Sequence, residues 1–207
     1  MTVIIYLVKT LVEESGMRVT REHAAENRAR IVEAASKLFR ERGFDGIGVA
    51  DLMKSAGLTH GGFYGHFASK DDLAAEACGL ALANSVKKWD RLAAESPADP
   101  LAPIAESYLS DVHLEKPANG CLIAALGSDV ARQDKSVRRA MTEGLRQLMA
   151  RMTGWVPGRT QAARRRTALA TFSAMVGAVV MARAVDDPEF SAEILDAVAG
   201  SLPHRAG

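Results

Sequence analysis

Residues 57–73 read Gly-Leu-Thr-His-Gly-Gly-Phe-Tyr-Gly-His-Phe-Ala-Ser-Lys-Asp-Asp-Leu, GLTHGGFYGHFASKDDL. The stretch mixes four glycines, which disfavour helix, with two phenylalanines four positions apart, the spacing of a buried helix face. On either side the apolar spacing is helical. Upstream, VADLMKSAG (49–57) turns Val49, Leu52, Met53 and Ala56 inward and stops at Gly57. Downstream, Ser69 is placed to cap a new helix, with Asp72 three positions on. A helix stopped by glycine, a tight turn and a short second helix make a helix-turn-helix. In that arrangement the second helix enters the DNA major groove while the first braces it.

The residue types fit those roles. Phe63 and Phe67 anchor the short helix onto Leu38 and Leu52, so His60, Gly61, Tyr64 and His66 point elsewhere. Gly61 and Gly62 cost a merely structural helix about 1 kcal/mol each relative to alanine. Against a sugar-phosphate backbone they provide clearance where a side chain would clash. Thr59 caps the helix start, where its hydroxyl and the free N–H groups meet a phosphate. Tyr64 is suited to a phosphate or a thymine methyl. Lys70 adds a cation at a positive helix terminus, which makes sense with a phosphate as partner. Arg28 and Arg30 serve equally as phosphate contacts or as a solvated face. His60 and His66, six apart, do not share a helix face as metal ligands would, and no metal or cofactor is expected.

The charge pattern agrees. Residues 17–70 hold nine Lys and Arg against six Asp and Glu, a net of +3, while residues 71–207 and 1–16 each carry −1. With an overall charge of +1 the chain is no general polyanion binder, and the basic segment marks one DNA-facing end. Two cysteines, Cys78 and Cys121, make no disulfide framework and fit a reducing cytoplasm. No apolar run approaches ~18 residues, so no membrane span is expected. The opening MTVIIYLVKTLVEESG lacks a basic leader and a cleavage site. It reads as an extra element on the body or as an over-long start, with Met17 as the true one.

Helical spacing recurs throughout. RARIVEAASKLFRERGF (28–44) places Ile31, Ala34, Ala35, Leu38 and Phe39 on one stripe and stops at Gly43. Further helices are expected over 49–57, about 60–66, 69 to about 94, after 100 to about 114, 121–131, 136–152, 161–185, and from Pro188, capped by Asp187, to about 202. That makes about nine helices and no strand pair, an all-α chain.

The helix RARIVEAASKLFRERG followed by FDGIGVADLMKSAGLTHGGFYGHFASKDDL resembles the N-terminal DNA-binding domain of the tetracycline-repressor (TetR/AcrR-like) family. The pattern AG(L/V)xxGxFYxHFxxK is carried by Ala56, Gly57, Leu58, Gly62, Phe63, Tyr64, His66, Phe67 and Lys70. The resemblance implies an N-terminal extension (1–24), a three-helix DNA-binding domain (25–73) and a helical ligand-binding and dimerisation domain (74–207). It implies a homodimer paired through the last two helices, with double-stranded operator DNA and a small-molecule inducer as partners, and no enzymatic activity. Gly48 stands where relatives carry a capping Ser or Thr, so a side-chain phosphate contact is missing there.

For the inducer pocket the candidates are Trp89, Tyr108, His113, Cys121, Met152, Trp155, Phe172 and Met175, residue types that are singly more often plain core. Cys121 opens a helix after Asn-Gly and reads either as a sensor thiol or as a small buried hydrophobe. ATFSAMVGAVVMA (170–182) is apolar nearly all round, with Ala174, Gly177 and Ala178 permitting close approach, as a helix buried against a partner chain or inside its own monomer would be.

Overall fold

A computed structural model describes the backbone of residues 2–203 and the side chains of residues 21–203. Nine α-helices and two short 3-10 helices make up the described chain. They are α1 (Thr2–Arg42), α2 (Val49–Ser55), a 3-10 helix (His60–Gly65), α3 (Lys70–Glu95), α4 (Leu101–Tyr108) and α5 (Asp111–Glu115). A 3-10 turn (Pro117–Asn119) leads to α6 (Leu122–Val130), α7 (Lys135–Trp155), α8 (Gln161–Ala184) and α9 (Pro188–Ser201). No strand occurs among the described residues.

Three departures from the expected helices have local causes. The first helix begins well before Arg28, because no proline interrupts residues 2–42. The helix expected after residue 100 divides into α4 and α5, because Ser110 leaves the helical path and its hydroxyl accepts from the His113 N–H. The segment around His60–His66 tightens into a 3-10 helix, with three of its six residues glycine.

The N-terminal unit closes around Ile31, Ala35, Phe39, Phe44, Leu52, Met53, Phe63 and Phe67, all buried. α3 is the spine. Its first turn closes that unit with Leu73, and its later turns bury Ala81, Leu82, Val86 and Trp89 in the body. α7 lies so close along it that a Cβ added at Gly144 would meet Leu82 Cβ at 2.5 Å. α8 packs on α5, α6, α7 and α9, and α1 reaches across to α6 and the 117–119 turn. The expected boundaries at residues 24 and 73 therefore both fall inside helices, α1 and α3. α8 is long and apolar enough by length and composition to cross a membrane, but its apolar stripe, including Phe172, Met175 and Val179, is buried in the body.

Candidate nucleic-acid interface and the buried aromatic site

α2 ends in a hydrogen-bonded glycine turn. Gly57 has φ +72, its N–H donates to Lys54 O at 3.0 Å, and the Leu58 N–H donates to Met53 O at 2.9 Å. This paired closure satisfies the helix's last carbonyls and needs a left-handed residue, which only glycine adopts cheaply. The chain then enters the 3-10 helix at Thr59, whose side chain makes no capping bond.

Within that short helix the two sides differ sharply. Phe63 is 1% exposed and Phe67 3%, with ring centroids 5.7 Å apart, while Tyr64 is 72% exposed and meets Phe63 edge-on. Thr59, His60 and Gly61 share the exposed side; Gly62, His66 and Lys70 are half-buried at its rim. A Cβ at Gly48, Gly61 or Gly65 would meet nothing within 4 Å. Nothing in the chain itself therefore requires glycine at these places. Ser69 caps α3 by accepting from the Asp72 N–H at 3.1 Å, as expected, with Lys70 as the first helical residue. Gly48 precedes α2 without a side-chain cap.

Arg28 does not project into that surface. Both of its terminal nitrogens donate to the Glu76 carboxylate, and its guanidinium lies 4.5 Å over the Phe67 ring. The Glu76 hydrogen bonds hold its pKa above the ordinary value. Arg28 thus clasps α1 to α3 behind the ring that seats the short helix. Arg30 is turned to Asn27.

A second assembly lies in the body. Trp89 packs edge-on to Phe172 at 5.4 Å, with Tyr108 at 6.5 Å and Trp155 at 6.4 Å, and Tyr108 meets His113 edge-on at 4.5 Å. Five of the eight sequence-proposed pocket residues thereby form one cluster, and Cys121 joins it through its N–H, which donates to His113 Nε2 at 2.7 Å. Met152 and Met175 are wholly buried core residues. A recess of about 40 Å³ is bounded by Lys88, Trp89, Tyr108, His113 and Cys121.

His113 is locked in one protonation form. Its Nδ1–H donates to Tyr108 O while Nε2 accepts from Cys121, so the ring is neutral, and burial holds its pKa below 6.5. Arg183 supports the arrangement from α8 by donating to Leu114 O at 2.9 Å and His113 O at 2.6 Å. The sequence reading passed over Arg183, although a lone charge in the apolar run 167–185 was a visible signal. Cys78 is a core thiol, pushed up to about 12 by burial. Among the described residues no three His, Cys, Asp or Glu side chains gather as metal ligands.

Residues 31–77 match the family model of bacterial regulatory proteins of the tetR family. The regulator AcrR of Shigella flexneri is 34% identical over 89 residues, 43% of this chain and 41% of that protein. TtgR of Pseudomonas putida is 44% identical over 57 residues, 28% and 27% of the two chains. These matches span less than half the length of either relative. Whole-chain likeness comes from solved structures. A TetR regulator of Chloroflexus aurantiacus superposes with TM-score 0.72 at 21% identity, covering 89% of this chain and all of that one. Reduced NemR of Escherichia coli gives 0.71 at 21%, covering 84% and 95%. FadR of Bacillus subtilis, solved with stearoyl-CoA, gives 0.66 at 16%, covering 84% and 97%. The chain is thus similar to bacterial regulatory proteins of the tetR family, in sequence through residues 31–77 and in fold over most of its length.

Proposed function

We propose that the protein is a ligand-responsive transcriptional regulator, a repressor that leaves its operator when a small molecule binds the C-terminal domain. One observation carries the DNA-binding half of this reading: a short helix held by two sealed phenyl rings presents Tyr64, 72% exposed, and a side free of its own chain at Gly61 and Gly65. A surface so lightened admits close approach by duplex DNA, with Thr59, Tyr64 and Lys70 at phosphates and His60, Gly61, Gly62 and His66 alongside the groove.

The coupling route is α3. It starts at Lys70 on the DNA side and carries Trp89 in the aromatic cluster, about 28 Å further along at 1.5 Å per residue. Tilting such a rod alters the spacing of two recognition helices, which must match grooves about 34 Å apart or a multiple of that. A homodimer paired through α8 and α9 is supported by the exposure there of Leu169, Val180, Met181 and Phe190, with Ala174 and Gly177 only half covered. The action is binding and release without turnover. FadR's stearoyl-CoA shows that a protein of this fold accommodates an acyl ligand.

Cys121 supports a second reading, a regulator that responds to oxidants or electrophiles. Its thiol lies within electrostatic reach of the Arg40 and Arg183 guanidinium groups, although it is only 8% exposed.

The test is selection of duplexes from a random pool, followed by Tyr64→Ala with Lys70→Ala. The double variant is expected to lose binding about a hundredfold or more while keeping its helix content and oligomeric state, and the parent's affinity is expected to fall steeply with salt. Normal operator binding by the double variant overturns the assignment of this face.

A further inference from the structure

The small recess beside Tyr108 adjoins a larger cleft. Ser85, Lys88, Asn119 and Gly120 border both, and the cleft, about 460 Å³, runs between α1, α3 and the 117–119 turn. Its volume is that of a small-molecule site. Its charge is one-sided: Lys37, Arg40 and Lys88 line it against a single carboxylate, Glu33, which is taken up by Lys37 at 2.9 Å.

Two buried polar atoms here have no hydrogen-bond partner. One is the Tyr108 hydroxyl, on a side chain 5% exposed that lines the recess and has the Cys121 thiol, a weak partner at best, as its polar neighbour; the other is Arg40 Nε, on the wall of the cleft. Both are donors. Burial pushes the Tyr108 phenol pKa well up, so it keeps its proton, and burial lowers the pKa of Arg40 and of Lys88. An unsatisfied donor in a buried place is costly, and an acceptor-only anion relieves it, while Lys88, exposed at the rim, adds its charge to that of the half-buried Arg40. Leu80 and Ala81 give the cleft an apolar wall, and Trp89 gives one to the recess.

We propose that this cleft and recess form the inducer site, and that the inducer is a carboxylate on an apolar body, its oxygens held by the Tyr108 hydroxyl, Lys88 and Arg40. The proposal rests on the ligand-responsive reading above and deepens it. It also supplies a direct mechanical link. Arg40 belongs to α1, the first helix of the DNA-binding unit, while Lys88 belongs to α3 and Tyr108 to α4. A carboxylate bound by all three ties the DNA-binding unit to the body at the 117–119 turn, where α1 already packs.

The experiment is calorimetric titration and thermal unfolding of the full chain with phenylacetate and octanoate. Phenylacetamide, octanamide and inorganic phosphate are the controls. At millimolar concentration the carboxylates are expected to bind and raise Tm, and the amides to do neither. Lys88→Gln and Tyr108→Phe are each expected to weaken carboxylate binding about tenfold. Tyr108→Phe is also expected to keep or raise the Tm of the free protein, because it removes an unpaired buried hydroxyl, which shows that the variant folds. The proposal is overturned if neither carboxylate binds, if amides bind as tightly, if phosphate alone binds equally well, or if both variants retain full affinity. Since the readout is ligand affinity, loss of the DNA-binding reading would show separately, in the duplex selection.

Discussion

His113 accepts a hydrogen bond at Nε2 from the Cys121 N–H and donates one from Nδ1 to the Tyr108 carbonyl, an arrangement open only to the neutral ring. Protonation places two donors face to face. The folded-state pKa is therefore depressed below 6.5, with burial as the main cause and the Arg183 charge adding to it. In the window below 6.5 the unfolded chain binds more protons than the folded one, so stability falls as pH drops through that range and levels off below the folded value. Urea midpoints are expected to be lower at about pH 5.5 than at about pH 7.5, with a smaller difference in His113→Asn. None of this was legible in the sequence, where His113 is one candidate among eight, because its tautomer depends on two backbone groups that only folding brings to it. Gly57 and Phe63 were legible: a left-handed stop and a ring at helical spacing are local facts, and the structure has them at φ +72 and 1% exposure. Arg28 was half legible. Its charge was plain, but Glu76, 48 residues away, claims it.

At the scale of elements, the contact of α3 with α7 depends on a residue with no side chain. A Cβ at Gly144 would lie 2.4 Å from Leu82 Cδ1 and 2.5 Å from Leu82 Cβ. The near approach of Leu82 Cβ leaves rotamer change little room to help, so the helices must part. Gly144→Ala is expected to destabilise the protein by about 1–3 kcal/mol, read as a lowered denaturant midpoint with unchanged m, despite alanine's better helix propensity. Most helix ends followed from caps. Ser69 accepts from Asp72 N, and Asp187 accepts from the N–H groups of Glu189 and Phe190, as their positions before a lysine and a proline indicate. The break between α4 and α5 was missed because Ser110 reads as a tolerable helix residue until its hydroxyl is seen capping the next turn. The short recognition element was placed correctly yet taken as an ordinary helix, since propensity alone does not separate 3-10 from α geometry in six residues.

For the molecule as a whole, α8 and α9 present a face that the monomer does not cover. Val180, Met181 and Phe190 are all 45% exposed or more. Under the dimer proposal, Val180→Arg with Phe190→Glu is expected to yield a folded monomer by light scattering, with operator affinity reduced at least tenfold because two half-sites no longer share one body. A variant that remains dimeric would place the interface elsewhere. By itself the amino-acid order determined the all-helical class, most helix ends and the face of the short helix that carries Tyr64, because caps, glycine stops and 3.6-residue spacing act over a few neighbours. Only the tertiary structure decided that Arg28 is a clasp, that Met152 and Met175 are core, and that Lys88 borders both the recess of Tyr108 and the cleft of Arg40. Those outcomes depend on residues tens of positions apart meeting in a dry interior, where the cost of an unpaired charge or hydroxyl is set by what the fold brings beside it.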